Sequence, residues 1–303
     1  MAIQISSQVV DVAPLPSATV MVVRDGGASS GLEVLMVRRH ANSGVLGGAH
    51  VFPGGKVDAA DQALGAAIWD CSPDDCRRAL AEPALDDGLA LGLYVAAVRE
   101  TFEECGLVLG APANAQADVV AVLREALGRG ASFAEAMRAV GGPWGAKALL
   151  PWSRWVTPRV PSMMSKRFDT RFFLAVAPAG QAVQHCEREA TEAVWLTPQR
   201  ALERAWAAEI DLAPPQIMSL SHLAQLGSVS AAIAWAGVHA PPIIEPRPFD
   251  LEGERVICYP GDPEHPVSTA AWTGCVTRLT FRSGRFVAEG GLASLLAGAP
   301  LSA

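Results

Sequence analysis

"AAVRETFEECGL", residues 96–107, sets three carboxylates, Glu100, Glu103 and Glu104, within five residues. Small and apolar residues lead into the cluster and Gly106 follows it, the pattern of a helix ended by glycine. On such a helix, positions i, i+3 and i+4 share a face, so the three carboxylates project together. Like charges this close repel. A hard divalent cation removes that cost, because it takes oxygen ligands from a few carboxylates and from a phosphate substrate. A solvated acidic helix face is the plainer alternative. Arg99 directly precedes the cluster and is placed to hold one of the carboxylates.

Upstream, "SATVMVVR" (17–24) and "LEVLMVRR" (32–39) are β-branched, apolar runs joined by a glycine-rich hairpin loop. "AHVFPGG" (49–55) reads as a short third strand ending in a Gly-Gly turn. "SPDDCRRALAE" opens with a serine cap, a proline and two early acids, a helix start. "ADVVAVLREAL" and "SFAEAMRAV" are amphipathic helices. "RFDTRFFLAVAP" and "EAVWLTP" are strands, and "PQRALERAWAAE" is a helix with proline at its first position. "PPQIMSLSHLAQL" and "SVSAAIAWAG" read as helical, whereas "ERVICYPGD" and "CVTRLTFRSGRFV" read as strands. Strands and helices interleave, which implies an α/β layered fold with one main domain. The tail is expected to extend the main sheet or to form a small flap.

The chain has 303 residues, half of them hydrophobic, and a formal charge of −7. That length supports a substantial core. No Lys/Arg run stands out to neutralise phosphates along a backbone, which argues against a nucleic-acid binder. The N-terminal residues lack the pattern of a signal peptide, and no window of eighteen uncharged apolar residues suggests a membrane span. A cytoplasmic protein is therefore expected, with its six scattered cysteines reduced. The six histidines show no zinc-ligand spacing.

"RETFEECGL" resembles the second half of the Nudix box, G-x5-E-x7-R-E-U-x-E-E-x-G-U, where U is aliphatic. Arg99, Glu100, Glu103, Glu104, Gly106 and Leu107 all match. Gly55 then supplies the first glycine, and Asp61 stands in the first glutamate position at the right spacing. The chain departs from the pattern in three ways. Asp61 replaces glutamate, Thr101 occupies an aliphatic position, and 37 residues separate Asp61 from Arg99 where the box has seven. Asp58 is an alternative to Asp61. Together with "GAHVFPGG", "SRWVTP", "RFDTRFFLA" and "EAVWLTP", these departures resemble the Nudix-type motif 19 subfamily, mammalian members of which are coenzyme A diphosphatases.

The resemblance implies a Nudix α/β/α sandwich with a mixed sheet, helical insertions and a strand-rich C-terminal extension. A single Nudix domain would cover 1–303, its core at about 15–61, 91–110 and 150–210. Insertions at about 62–90 and 111–149 would form a helical cap over the site or remote scaffolding, and the extension would span about 211–303. The implied activity is cleavage of a diphosphate, with Mg²⁺ or Mn²⁺ as cofactor. The substrate would be coenzyme A or acyl-coenzyme A, giving 3′,5′-ADP and a phosphopantetheine. ADP-ribose, NADH and other nucleoside diphosphate derivatives are the alternative substrates, and a catalytically silent nucleotide-binding module is the alternative class. A homodimer is compatible with the family. The family's metal ligands map onto Glu100, Glu103, Glu104, the Gly55 carbonyl and Asp61. Arg99 would orient a glutamate, and Glu104 or an outside carboxylate, Glu189 ahead of Glu192, would activate water. Substrate contacts would come from Arg38, Arg39 and Phe52, with Arg167 and Arg171 as further phosphate forks and Trp155 as a stacking partner.

Overall fold

The computed structural model describes residues 9–27, 31–40, 46–113, 118–160, 166–184 and 190–297. In chain order the core begins with β1 (Leu15–Asp25), β2 (Leu32–Arg39), β3 (His50–Val51), β4 (Gly54–Lys56) and α1 (Ala59–Gln62). It continues through α2 (Pro73–Leu80), α3 (Asp87–Cys105), α4 (Val119–Gly128) and α5 (Phe133–Val140). Strands β5 (Leu150–Val156), β6 (Phe168–Val176) and β7 (Ala190–Leu196) lead to helices α6 (Pro198–Trp206), α7 (Pro214–Leu226) and α8 (Val229–Val238). The tail holds β8 (Ile243–Ile244), β9 (Arg247–Leu251), β10 (Glu254–Cys258), β11 (Arg278–Arg282), β12 (Arg285–Val287) and α9 (Leu292–Leu296).

The main sheet has the order β3-β2-β1-β6-β5-β8, with β4 paired to β1 and β7 paired to β2. It is mixed: β1 runs parallel to β6, from Leu15 opposite Phe168 to Val23 opposite Val176, and antiparallel to β2. Both faces are covered, which explains why β1 and β2 read as nearly unbroken apolar runs. Ala18, Val20 and Val22 face one core cluster, built with α3 and the insertion helices. Met21 and Val23 face the other, built with α6, α7 and the C-terminal strands. The result is an α/β sandwich. The tail takes both expected forms: β8 extends the main sheet beside β5, and β9–β12 form a separate four-stranded antiparallel sheet.

Helix α3 is buried almost all round, which suits the centre of a layer rather than a surface. The Asp86 side chain accepts from the Leu89 N–H at its start, and Gly106, at φ 70°, ends it in the left-handed region. Helix α2 carries a Ser72–Asp75 capping box. Helices α4 and α5 pack against one another, and Trp69 and Trp144 bridge the two insertions. Among the described residues no single helix is long and apolar enough to cross a membrane, and none of the five described cysteines forms a disulfide.

A buried charge cluster fastens the first insertion to the sheet. Glu82, just after α2, accepts from Arg171 Nε at 2.9 Å and Nη2 at 2.6 Å, and pairs with Arg154 at 2.7 Å. Asp169 takes the remaining contacts of both arginines. Arg171 is 2% exposed and Glu82 8%. Arg167 donates to the carbonyls of Thr157 and Val12. Neither arginine is therefore the phosphate fork expected from the sequence: both guanidiniums are spent inside the fold. Because breaking one partner of a buried pair leaves an uncompensated charge, Glu82→Ala should lower unfolding stability by about 3–5 kcal/mol in urea titration.

A second expectation concerns pH. His222 in α7 is 1% exposed and stacks on Trp272 at 5.1 Å. Burial pushes its pKa down to about 3 from the ordinary 6.5. The unfolded chain thus binds a proton below pH 6.5 that the folded chain refuses until about pH 3. Stability is complete above pH 6.5 and falls as pH drops through that window, by up to about 1.4 kcal/mol per unit. His222→Phe should flatten this part of the stability–pH curve; an unchanged slope would assign it to other groups.

Candidate active site

The Gly-Gly turn and the carboxylate helix meet, although far apart in sequence. Strand β4 pairs with the start of β1, Gly54 opposite Thr19 and Gly55 opposite Ala18. A side chain at Gly54 would collide with the Ala18 and Thr19 backbone. At Gly55 the clash would be with the Glu100 carboxylate itself. Only glycine allows the turn to lie against both the strand and the helix. The Gly54 N–H donates to Glu104 Oε2 at 3.2 Å.

Arg99 holds this junction together. Its Nε and Nη2 donate to the two oxygens of Asp61 at 3.0 and 2.9 Å, and Nη2 also donates to the Lys56 carbonyl at 2.8 Å. Its Nη1 donates to Glu100 at 2.7 Å and to Glu103 at 3.2 Å. Burial by itself would lower the guanidinium's pKa. The Asp61 hydrogen bonds and the charges of Glu100, Asp61 and Glu103 more than offset it, so the group lies above its ordinary range. Asp61 is 2% exposed, and its second oxygen also accepts from the Asp58 N–H at 2.8 Å. This corrects the expected assignment of Asp61 as a metal ligand: its carboxylate is committed to Arg99 and to the start of α1. Asp58 is the N-cap of that helix.

A cavity of about 560 Å³ opens beside this junction. Glu100 and Glu104 line it together with Gly54, Gly55 and Lys56. Glu104 is only 5% exposed, whereas Glu103, one turn position along, projects toward solvent beside Arg99. Arg39 and Lys166 add cationic groups to the wall, and Phe52, Trp155, Phe168 and Phe172 add aromatic surface. Phe52 is packed edge-on to Phe172 at 6.3 Å, so it serves as fixed wall. Arg39 Nε is buried and has no hydrogen-bond partner.

Several expected groups lie elsewhere. Arg38 is exposed, opposite Glu192 on the neighbouring strand, and is not in the cavity wall. Glu192 sits 3.8 Å from buried His50, also away from the cavity. Glu189 lies outside the described residues. No described residue of 62–99 or 105–154 lines the cavity, so the insertion helices brace the outer face of α3 and do not cap the site. Conversely, the sequence reading missed Lys56, Lys166, the start of α7 (Pro214, Pro215, Gln216), and Pro246 and Ile257 of the tail. Lys56 was legible as the residue following the Gly-Gly turn; the tail residues carry no local signal of this kind.

Among the described residues no group of three or more His, Cys, Asp or Glu side chains has metal-holding geometry. The donor set nonetheless fits a hard cation. It is all oxygen, and Mg²⁺ typically takes one or two carboxylates while water and substrate phosphates complete its shell. Glu100 and Glu104, with the Gly55 backbone pressed against Glu100, are the groups that would hold it, and Glu103 stands beside them. Gly55→Ala would displace the Glu100 carboxylate, the movable end of a side chain, so the variant should fold. Its turnover should fall by roughly tenfold or more, because small misplacements at such sites are costly. Circular dichroism with steady-state kinetics checks both.

Comparison with known proteins gives a consistent result. A family model described as the NUDT19 Nudix domain matches residues 6–223. A putative nudix hydrolase 7 from Caenorhabditis elegans is 29% identical over 235 residues, covering 76% of this chain and 68% of that protein. The acyl-coenzyme A diphosphatase NUDT19 of Homo sapiens is 29% identical over 241 residues, covering 67% of this chain and 63% of that protein. The Xenopus laevis protein of the same name is 29% identical over 239 residues, at 67% and 62% coverage. The chain thus spans somewhat under two thirds of these vertebrate relatives. A crystal structure of a Nudix hydrolase from Alicyclobacillus acidocaldarius aligns with a TM-score of 0.58 and 28% identity, covering 74% of this chain and 97% of that one. With the glycine turn, the arginine and the glutamates of the box assembled at one cavity, the chain belongs to the NUDT19 Nudix domain family of Nudix hydrolases.

Proposed function

We propose that the protein is a divalent-cation-dependent diphosphatase that cleaves coenzyme A or acyl-coenzyme A into 3′,5′-ADP and the corresponding phosphopantetheine. The observation that carries this reading is the composition of the cavity beside the carboxylate helix. It joins the Glu100–Glu104 face to the cations Arg39, Lys56 and Lys166, and both to an extended aromatic and aliphatic wall. A polyphosphate with a long, largely neutral arm matches that division. The names of the vertebrate relatives, acyl-coenzyme A diphosphatase, point the same way.

In this reading Arg39 and Lys56 bind the diphosphate and Glu100 and Glu104 face it. A bound Mg²⁺ or Mn²⁺ would neutralise charge developing on the phosphoryl oxygens. A water oxygen bonds to phosphorus, its proton passes to a carboxylate, and the bridging anhydride oxygen leaves on the other phosphate. Glu104, buried and positioned by the Gly54 N–H, is the carboxylate we assign to that proton. Arg99 takes no part in bond making; it fixes Glu100 and Glu103 on the helix.

Purified protein with Mg²⁺ should release 3′,5′-ADP from coenzyme A faster than it cleaves ADP-ribose, NADH or diadenosine tetraphosphate, with products separated by chromatography. EDTA should abolish turnover and excess Mg²⁺ restore it. Glu104→Gln should lower kcat by roughly two to four orders of magnitude. Preference for ADP-ribose or NADH would retain the carboxylate site and overturn the coenzyme A assignment. Absence of turnover on every substrate would favour a nucleotide-binding module.

A further inference from the structure

We propose that Gln216 determines specificity by pairing its carboxamide with an amide of the substrate's neutral arm. The proposal rests on the coenzyme A reading above. Gln216 lies in the first turn of α7 and in the cavity wall. It is 6% exposed, and its Oε1 is shielded from solvent with no hydrogen-bond partner in the protein. An acceptor buried without a donor costs stability, and most buried polar atoms are satisfied. On a residue of the cavity wall, such an atom is suited to a donor that arrives with the ligand once the carboxamide turns toward it.

The surrounding chemistry selects the kind of donor. A helix N-terminus ordinarily attracts anions through its unpaired N–H groups. Here Pro214 and Pro215 occupy the first two positions and have no N–H, and the Ile217 N–H already donates to the Ala213 carbonyl at 3.1 Å. The Ala213 cap adds no side-chain group. Of this stretch only Gln216 keeps N–H groups of its own, too few for the several donors a phosphate would need, and its companions Pro246 and Ile257 are apolar. Helix α7 packs in the cluster on one face of the sheet, whereas α3, with Glu100 and Glu104, packs in the cluster on the other. A ligand reaching both must extend from the charged side to the neutral side. The pantetheine arm of coenzyme A carries two secondary amides, neutral N–H donors on an otherwise apolar chain; ADP-ribose has no amide, and its neutral donors sit on the adenine and the sugars.

The test uses the two products, neither of which can be turned over. Titration calorimetry would measure binding of 4′-phosphopantetheine and of 3′,5′-ADP to the full-length protein and to Gln216→Met, a substitution that keeps volume and removes the hydrogen bond. The proposal expects 4′-phosphopantetheine to bind roughly tenfold more weakly to the variant, with 3′,5′-ADP unchanged. The KM for coenzyme A should rise by a similar factor with little change in kcat, and the ligand-free variant should melt no lower than wild type. Weakening of 3′,5′-ADP alone would place the contact on the nucleotide, and equal weakening of both products would make the effect indirect; either overturns the proposal. So would unchanged binding of 4′-phosphopantetheine, or no binding of it to wild type. A drop in melting temperature with kcat and KM both altered would make Gln216 structural. Coenzyme A hydrolysis by wild type is a separate result: its failure with Gln216-dependent 4′-phosphopantetheine binding intact would sink the function and keep the contact.

Discussion

The Arg99 guanidinium is the constraint on which the site depends. It is buried, and each of its nitrogens is engaged: two by Asp61, one of these also by the Lys56 carbonyl, and the third by Glu100 and Glu103. Removing such a cation from water is expensive, and only several charged acceptors in good geometry repay it. In return one side chain joins three pieces of chain: the glycine turn, the short helix α1, and the carboxylate face of α3. The acidic cluster, which would repel itself on an isolated helix, is held beside a fixed positive charge.

This junction explains how the box tolerates its long interruption. Asp61 and Arg99 are 38 positions apart in sequence, yet bonded at 2.9 Å. Widening a loop from seven residues to 37 costs only about 1.5 kcal/mol of closure entropy, since the dependence on length is logarithmic. The inserted residues recover that through their own core contacts and through the Glu82 cluster on β5 and β6. They pack against the far side of α3, so the extra chain grows outward and leaves the cavity to the sheet, the glycine turn and the C-terminal elements.

The parts of the site that were legible in the sequence are those written in local patterns. The i, i+3, i+4 spacing of Glu100, Glu103 and Glu104, the stop at Gly106 and the turn at Gly54–Gly55 each have a short-range physical signature. What the sequence hid depends on long-range packing. Arg171 looked like a phosphate fork because a guanidinium has the same shape whether its partner is a ligand or Glu82, 89 positions away. Asp61 looked like a ligand because a carboxylate's partner cannot be read from spacing alone. The wall built by Pro214–Gln216, Pro246 and Ile257 was invisible, since no local pattern records which tail residues fold back over a distant strand. The two-faced burial of β1 and β2 was foreshadowed by their unbroken apolar runs, but which helices cover each face was not.

The central claim is that Glu100 and Glu104, arranged by Arg99 and the glycine turn, form the cation-binding face of this cavity. Titration of Mn²⁺ followed by electron paramagnetic resonance measures that directly, without reference to substrate or turnover. Wild-type protein should remove the free-ion signal with a defined stoichiometry, and Glu100→Gln and Glu104→Gln should each weaken that binding by tenfold or more. Mn²⁺ binding of equal strength in wild type and both variants would place the cation elsewhere and contradict the account.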